Sequence, residues 1–167
     1  KFSLCSLFDS NLLFGTYLLE ASKKTGVKWF LNTGTFWQHY NNENYNPVNL
    51  YASTKEAFEN IAKFYTQTSN LIFTTIKLND TFGPNDKRLK LFNLWKKSMD
   101  SSQTLDMSPG SQIIDASYIE DVVSAYEVMV KNLNGSNSIK YNNKSFVVSN
   151  QEKPKLIELS KIFESAA

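Results

Sequence analysis

The chain has 167 residues, of which 41% are hydrophobic and 20% are charged, a composition typical of globular domains rather than disordered ones. Its net charge is +2 and Arg88 is its only arginine, so nucleic acid and anionic membranes are not expected partners. One cysteine excludes an intrachain disulfide, and no apolar run approaches the ~20 residues that cross a bilayer. We therefore expect a cytoplasmic location.

Segments with helical spacing of apolar residues alternate along the chain with short runs of β-forming residues. The patterns predict helices over residues 12–26, 50–69, 89–95, 119–130 and 156–163, strands over 27–31, 71–78 and 144–149, and an interrupted β-like stretch in 104–114. Strands separated by helix-length segments are typical of βαβ units and a mostly parallel sheet. The expected fold class is therefore α/β.

A glycine-rich phosphate-binding turn is missing from this pattern. A dinucleotide-binding sheet normally carries such a turn between its first strand and its first helix. The six glycines of the chain stand in neither G-x-G-x-x-G nor G-x-x-G-x-x-G spacing. Two explanations stay open: the chain does not bind a dinucleotide, or it begins after the first βαβ unit.

The strongest candidates for chemistry are Tyr51 and Lys55, four residues apart at the start of a predicted helix. Residues at this spacing lie on one helical face. An ammonium group near a phenol lowers the pKa of the phenol, which lets Tyr51 donate or accept a proton. Roughly 0.8 such pairs are expected by chance in this composition, so a simple surface contact is the alternative.

The polar residues that follow two predicted strands favour the catalytic interpretation. Thr33 follows the first of these strands, and residues 79–81 follow the second. Ligands of open α/β sheets bind at the carboxyl ends of the strands. We therefore expect the Thr33 hydroxyl to orient the same substrate oxygen to which Tyr51 transfers a proton.

The order of these segments is more specific than the Tyr-Lys spacing. A strand, Thr33-Gly34-Thr35, a loop, the helix with Tyr51 and Lys55, a second strand and then residues 80–86 follow one another. This order resembles the NAD-dependent epimerase/dehydratase family, the extended short-chain dehydrogenases/reductases, over nearly the whole chain. The resemblance implies a Rossmann-like parallel sheet.

The resemblance also implies roles for individual residues. Tyr51 would be the general acid/base, Lys55 its pKa modulator and a ribose ligand, and Thr33 the third catalytic residue. NAD or NADP would be the cofactor, with Asn11 beside it together with Tyr51 and Lys55. A nucleotide-sugar substrate would be contacted by two further residues, Thr35 and Asp80.

Within the family, residues 32–38 and 80–84 look most like CDP-abequose and CDP-paratose synthases. The resemblance to those enzymes implies reduction of a 4-keto-deoxysugar nucleotide with a nicotinamide cofactor, for the synthesis of surface polysaccharide sugars. Epimerisation and dehydration stay open, because they use the same Tyr-Lys pair. A homodimer is the implied assembly.

The resemblance divides the chain into two parts. Residues 1–83 are predicted to form the later part of the NAD(P)-binding domain, without its first βαβ unit. Residues 84–167 are predicted to hold incomplete segments of a small substrate domain, interleaved with a strand and a helix that return to the first domain. The chain is thus expected to be truncated at both ends. A second hypothesis is a non-catalytic remnant, or a subunit completed by another chain through an exposed sheet edge.

Two further residues are candidates of lower specificity. His39 is the only histidine and has no neighbouring cysteine or carboxylate cluster, so no metal site is predicted. It is expected to be a solvated loop residue, with a substrate contact as the alternative. Cys5 is expected to be a small buried hydrophobe, since no base partner is evident.

Overall fold

The computed structural model describes residues 3–166, which form two compact units. The first unit comprises the residues up to Asn79 together with Val123–Val148. The second comprises Asp80–Val122 together with the residues from Ser149 onward. The division predicted from sequence, after residue 83, falls slightly later in the chain.

Helices and strands alternate along the chain, which confirms the predicted α/β class. The helices of the described chain are α1 (Leu4–Phe8), α2 (Phe14–Thr25), α3 (Leu50–Thr68), α4 (Leu91–Asp100), α5 (Ile119–Leu133) and α6 (Leu156–Ser165). The strands are β1 (Trp29–Thr35), β2 (Ile72–Leu78), β3 (Asp80–Phe82), β4 (Ala116–Tyr118) and β5 (Lys144–Val148). The β-like stretch expected in 104–114 forms no strand, because Pro109 and the left-handed Gly110 (φ 80°) interrupt it.

The sheet of the first unit has the strand order β1-β2-β5, and its strand pairs are parallel. β1 and β2 pair from Trp29 opposite Ile72 to Thr35 opposite Leu78. α3 connects these two strands, as a parallel pair requires. The carboxyl ends of β1 and β2 therefore meet at one edge of the sheet, next to the start of α3.

Helix α3 begins and packs for reasons that the sequence explains. The Asn49 side chain accepts a hydrogen bond from the Ala52 amide at 2.9 Å and caps the first turn. Phe58, Ala62 and Tyr65 recur at helical spacing and are buried against the sheet. Each fully buried side chain of the size of Phe58 contributes about 1.5–3 kcal/mol.

Both faces of this sheet are covered. On one face, α2 approaches α3 so closely that a Cβ added at Gly15 would lie 2.4 Å from the Phe58 ring. On the other face, Met129 and Leu133 of α5 pack on Ile76 of β2. The sheet is thus the middle layer of a three-layer arrangement.

A π-helical turn, Asp9–Leu13, joins α1 to α2. The sequence pattern predicts only the helix that follows it, which ends as expected at Gly26 in the left-handed conformation (φ 70°). Cys5 is exposed in α1, so its expected burial is wrong. It lies on a short helix without any buried residue.

The second unit is built around a pair of short parallel strands. β3 and β4 pair between Asp80 and Ala116 and between Phe82 and Tyr118. An aromatic cluster fills this unit; its members are Phe82, Phe92, Trp95, Tyr118 and Phe163. Within residues 3–166, no helix has both the length and the apolar character needed to cross a bilayer.

Candidate active site

Tyr51 and Lys55 lie in the first two turns of α3, at the carboxyl edge of the sheet. The Lys55 ammonium is 5.8 Å from the centroid of the Tyr51 ring. The two side chains therefore share one face of the helix, as their spacing predicts. Lys55 Nζ also donates a hydrogen bond to the backbone carbonyl of Thr33 at 3.3 Å, which ties α3 to β1.

The phenol of Tyr51 is open to a ligand. Tyr51 is 44% exposed, and within the described chain its hydroxyl has no hydrogen-bond partner. Burial of the rest of the side chain raises the pKa of Tyr51 above the ordinary phenol value. The expectation that Lys55 lowers this pKa is therefore wrong for the chain by itself: burial raises it, and the ammonium donates to the Thr33 carbonyl rather than to the phenol.

Lys55 is in a partly desolvated environment of its own. Burial lowers its pKa, and the nearby carboxylate of Glu59 partly offsets this effect. Glu59 stands four residues further along α3, so it lies near Lys55 on the helix surface. The Lys55 ammonium thus lies near the Thr33 carbonyl, and the carboxylate of Glu59 compensates part of its charge.

The Thr33 side chain faces a residue that the sequence did not indicate. Its hydroxyl lies 2.5 Å from the hydroxyl of Tyr126 on α5, and either oxygen can be the donor. Among the described residues, no hydrogen bond joins Thr33 to Tyr51; the two are linked through Lys55. The sequence pattern predicts only that Tyr126 faces inward on its helix. Because an inward aromatic residue is usually part of the core, the pattern does not indicate a contact with Thr33.

Asn11 lies in the π-helical turn and contacts the helix that carries the Tyr-Lys pair. Its amide donates to Thr54 Oγ1 at 2.9 Å, and the Thr54 hydroxyl donates to the Tyr51 carbonyl at 2.8 Å. π-turns inside helices are often found at functional sites. The position beside the cofactor expected for Asn11 stays a prediction; its observed partner is Thr54 of α3.

Thr35 occupies a structural position. It is 6% exposed, and its side chain caps the short 3₁₀ turn Phe36–Gln38, accepting from the Trp37 amide. Its own amide donates to Gln38 Oε1 at 2.8 Å. The hydroxyl of Thr35 thus caps a turn at a buried position, and the substrate contact expected for Thr35 stays a prediction.

A buried cluster of charged groups lies beneath this turn. Lys77 of β2 contacts Glu56 and Glu59 of α3 and the imidazole of His39, and the Gln38 amide donates to the same two carboxylates. The expectation that His39 is a solvated loop residue is wrong, since its ring is bonded on both sides. No local pattern indicates this cluster, because a lysine within a buried strand is unusual.

Asp80 lies in the second unit, where its carboxylate pairs with Lys90 Nζ at 2.9 Å. Its expected contact with substrate stays a prediction. In the same unit, Arg88 holds the Asp86 carboxylate with two hydrogen bonds of 2.8 and 2.6 Å from its guanidinium. This contact lowers the pKa of Asp86 to about 2. In the described part of the chain, no group of three or more His, Cys, Asp or Glu residues is arranged to hold a metal ion.

The sequence model of the NAD dependent epimerase/dehydratase family matches residues 5–143. Among curated proteins, a CDP-abequose synthase from Yersinia pseudotuberculosis is 29% identical over 131 residues, covering 78% of this chain and 46% of the relative. A CDP-abequose synthase from Salmonella muenchen is 30% identical over 125 residues, covering 74% of this chain and 42% of the relative. The chain thus spans less than half the length of these relatives.

Solved structures show the same fold at lower sequence identity. A UDP-glucuronic acid 4-epimerase from Bacillus cereus, in complex with UDP-glucuronic acid and NAD, aligns with a TM-score of 0.81 and 18% identity. The alignment covers 95% of this chain and 51% of that protein. At this identity the likeness concerns the fold, and it confirms the partial Rossmann-like architecture.

Proposed function

The chain belongs to the NAD-dependent epimerase/dehydratase family, and from this premise we propose that it carries the proton-transfer residues of a nucleotide-sugar oxidoreductase. One observation carries the proposal. The Lys55 ammonium shares a helical face with the Tyr51 phenol and is fixed to β1 through the Thr33 carbonyl. The exposed phenol and the ammonium thus lie together at the edge of the sheet where ligands of α/β proteins bind, which supports an acid/base role for Tyr51.

The chemistry proposed for these residues is proton transfer at a sugar oxygen. In reduction, Tyr51 donates its proton to the carbonyl oxygen, which becomes a hydroxyl as the carbon receives a hydride. In the reverse direction, the phenolate takes the hydroxyl proton. With a pKa above the ordinary phenol value, Tyr51 carries its proton at neutral pH, and this proton is the one transferred in reduction.

The donors of the site fit a nicotinamide cofactor. An ammonium has three protons to donate, and Lys55 uses one of them on the Thr33 carbonyl, which leaves two for the hydroxyls of a ribose. When bound, NAD or NADP supplies or accepts the hydride. Lys55 and Tyr51 would hold its ribose, while Asn11 acts through Thr54 on the turn that positions Tyr51.

The proposed substrate is a CDP-linked 4-keto-deoxysugar. The support is that three of the curated relatives are CDP-abequose synthases. Epimerisation and dehydration of a nucleotide-sugar are the alternatives, and product analysis separates them. Reduction consumes one NAD(P)H per sugar, whereas epimerisation and dehydration leave the total amount of NAD(P)H unchanged.

The test of the proposed function is Tyr51→Phe in the complete protein. General acid/base catalysis contributes about 10²- to 10⁴-fold, so turnover should fall at least ~100-fold while the affinity for NAD(P) stays within a few fold. The matched control is Tyr17→Phe, which removes the hydroxyl of a tyrosine that is 70% exposed on α2. Normal turnover by the Tyr51 variant refutes the assignment.

A second candidate, a subunit completed by another chain, is favoured by one observation. Within the described residues, β1 pairs with β2 on one side only. An open edge presents unpaired backbone groups that another strand can use. Titration of the chain with NAD(P) separates the candidates, since tight binding by the chain alone argues against the need for a partner.

A further inference from the structure

Lys77 is a charged residue in the interior of the first unit. It lies in β2 and is 3% exposed. Its ammonium is 3.3 Å from a Glu59 oxygen and 3.8 Å from a Glu56 oxygen, and it contacts Nε2 of His39. A buried ammonium is strongly destabilising unless it is paired, so these partners are needed for Lys77 to be accommodated at all.

Gln38 connects this cluster to the backbone of β1. Its amide nitrogen donates to Glu56 at 2.6 Å and to Glu59 at 2.8 Å. Its amide oxygen accepts from the Thr35 amide at 2.8 Å. The orientation of Gln38, and with it the direction of the chain at the end of β1, is therefore set by the two carboxylates that Lys77 neutralises.

Gly34 allows this cluster to approach the backbone next to Thr33. A Cβ at this position would lie 2.9 Å from Gln38 Oε1 and 3.0 Å from Lys77 Cγ. The peptide after Thr33 is thus packed under the Gln38 and Lys77 side chains, while its carbonyl receives Lys55. The packing of Gln38 and Lys77 and the hydrogen bond from Lys55 therefore hold the same short segment, residues 33–35.

The cluster also touches the other side of the candidate site. Glu59 pairs with Lys77 and lies one helical turn after Lys55, whose pKa its charge affects. Ser145 of β5 adds a hydrogen bond to Glu59 at 3.3 Å. Lys77 is therefore linked through Glu59 to the helix that carries Lys55, and through Gln38 to the strand that carries Thr33.

We propose that Lys77 is a positioning residue for the reaction: it holds the β1 segment 33–35 and the Lys55 face of α3 in one fixed arrangement. The inference rests on the proposed function for its kinetic consequence. Stability alone does not account for the cluster, because replacing buried ion pairs with apolar residues is often neutral or stabilising. The cluster fixes geometry where β1 ends and α3 begins.

The contact between Lys77 and His39 gives the inference a spectroscopic signature. An ammonium can only donate, so Nε2 of His39 is the acceptor. Nδ1 then carries the ring proton and donates to the carbonyls of Glu43 and Asn44, at 3.1 and 3.0 Å. His39 is the only histidine of the chain, so its two ring nitrogens are assigned without ambiguity.

The first experiment records ¹⁵N spectra of the imidazole and amide hydrogen exchange in the complete protein. We expect the Nδ1–H tautomer in the parent and a mixture of tautomers in Lys77→Met, with exchange of the Thr35 amide at least tenfold faster. Lys63→Met is the matched control, because Lys63 is exposed on α3 and its ammonium, among residues 3–166, donates only to Asn60. An unchanged tautomer and unchanged exchange in Lys77→Met overturn the proposal.

The second experiment measures kinetics. We expect Lys77→Met to lower kcat at least tenfold while KM for the nucleotide-sugar changes less than threefold, since no substrate contact is lost. Lys77→Arg, which keeps the charge and the donors, should recover most of the loss, whereas a merely structural lesion would not depend on charge. Equal kcat in the parent and Lys77→Met overturns the proposal.

Two further outcomes are distinguishable. If Lys77→Met does not fold, His39→Ala tests the same link from the loop side: the proposal expects faster exchange of the Asn46 amide, which donates to the Gln38 carbonyl at 3.1 Å, and unchanged exchange contradicts it. If the parent shows no turnover of any nucleotide-sugar, the proposed function fails, and the tautomer and Thr35 exchange still decide whether Lys77 positions the segment.

Discussion

The hydroxyls of Thr33 and Tyr126 lie 2.5 Å apart although 93 positions separate the two residues in the chain. Thr33 lies near the carboxyl end of β1 at the candidate site, and Tyr126 lies on the helix that covers the opposite face of the sheet from α3. If Tyr126 donates, the Thr33 proton remains available for a substrate oxygen. In that arrangement the pair sets the direction in which Thr33 donates.

Tyr126→Phe tests this relationship. A lost hydrogen bond of this kind costs about 1 kcal/mol, so we expect kcat to fall roughly fivefold, through a less well oriented Thr33. Tyr141→Phe, also in the first unit and half-buried, is the control and should keep the parental rate. A Tyr126→Phe enzyme with the kcat of the parent contradicts the orienting role.

The pH dependence of Tyr51 follows from its burial. Its pKa is raised above 10.0 in the folded chain, so the protonated form is favoured and reduction should not be limited by Tyr51 ionisation at neutral pH. Stability associated with this group is complete below pH 10 and is lost as the pH rises through the higher folded value. Ultraviolet difference titration of the parent against Tyr51→Phe, without nucleotide, measures this pKa. Titration of Tyr51 below pH 10 contradicts the prediction.

The contact between α2 and α3 makes Gly15 sensitive to substitution. A Cβ there would lie 2.4 Å from Cε2 and 2.7 Å from Cζ of Phe58, whose ring is 4% exposed and packed on Phe73. We expect Gly15→Ala to lower the free energy of unfolding by about 1–3 kcal/mol, measured by urea denaturation. Ser22→Ala on the same helix should change it by less than ~0.5 kcal/mol, and equal values for the two variants contradict this packing.

The bidentate contact between Arg88 and Asp86 controls the acid titration of that carboxylate. Its pKa is about 2, so its contribution to stability is present above the ordinary value of 3.8 and is lost as the pH falls toward 2. Arg88→Met should move the pKa of Asp86 upward toward 3.8, as followed by carboxyl ¹³C NMR. Lys87→Met is the control and should leave it near 2; a pKa that stays near 2 in Arg88→Met would falsify the guanidinium as the cause of the low value.

The exposed apolar side chains of α2 predict self-association. Phe14 and Tyr17 are 61% and 70% exposed, and Phe64 of α3 is 57% exposed. The helices α2 and α3 can bury these exposed apolar side chains against the same surface of a second copy of the chain. Phe14→Glu should convert a dimer into a monomer, as measured by light scattering after size exclusion, whereas Val128→Glu on α5, at 61% exposure, should not. A monomeric parent protein contradicts the prediction.

The sequence predicts most of the local structure because each element has its own signal. The helix predicted over 50–69 is observed as Leu50–Thr68, and the strand predicted over 71–78 as Ile72–Leu78. The apolar period of the helix and the β-branched content of the strand are local properties. The strand predicted over 27–31 is observed as Trp29–Thr35. Its end was predicted too early because the polar residues Asn32 and Thr33 interrupt the run of β-forming residues.

Only part of the candidate site could be predicted from the sequence. Helical spacing places Tyr51 beside Lys55, because four residues make about one turn. The contacts of Thr33 with Tyr126 and of His39 with Lys77 join residues 93 and 38 positions apart, and no local pattern encodes such pairs. Burial also reversed the expected shift in the pKa of Tyr51, because the sequence shows the neighbouring charge but not the loss of water.

The π-turn before α2 makes the length of this segment as important as its composition. Such a turn closes its hydrogen bond one residue later than an α-turn, so it contains one residue more than a regular helix would use. Deleting Ser10 would allow the backbone to become continuously α-helical, which would rotate the remaining residues of this turn, including Asn11, relative to α2. Asn11 would then lose its contact with Thr54, although no side chain at the site had been altered.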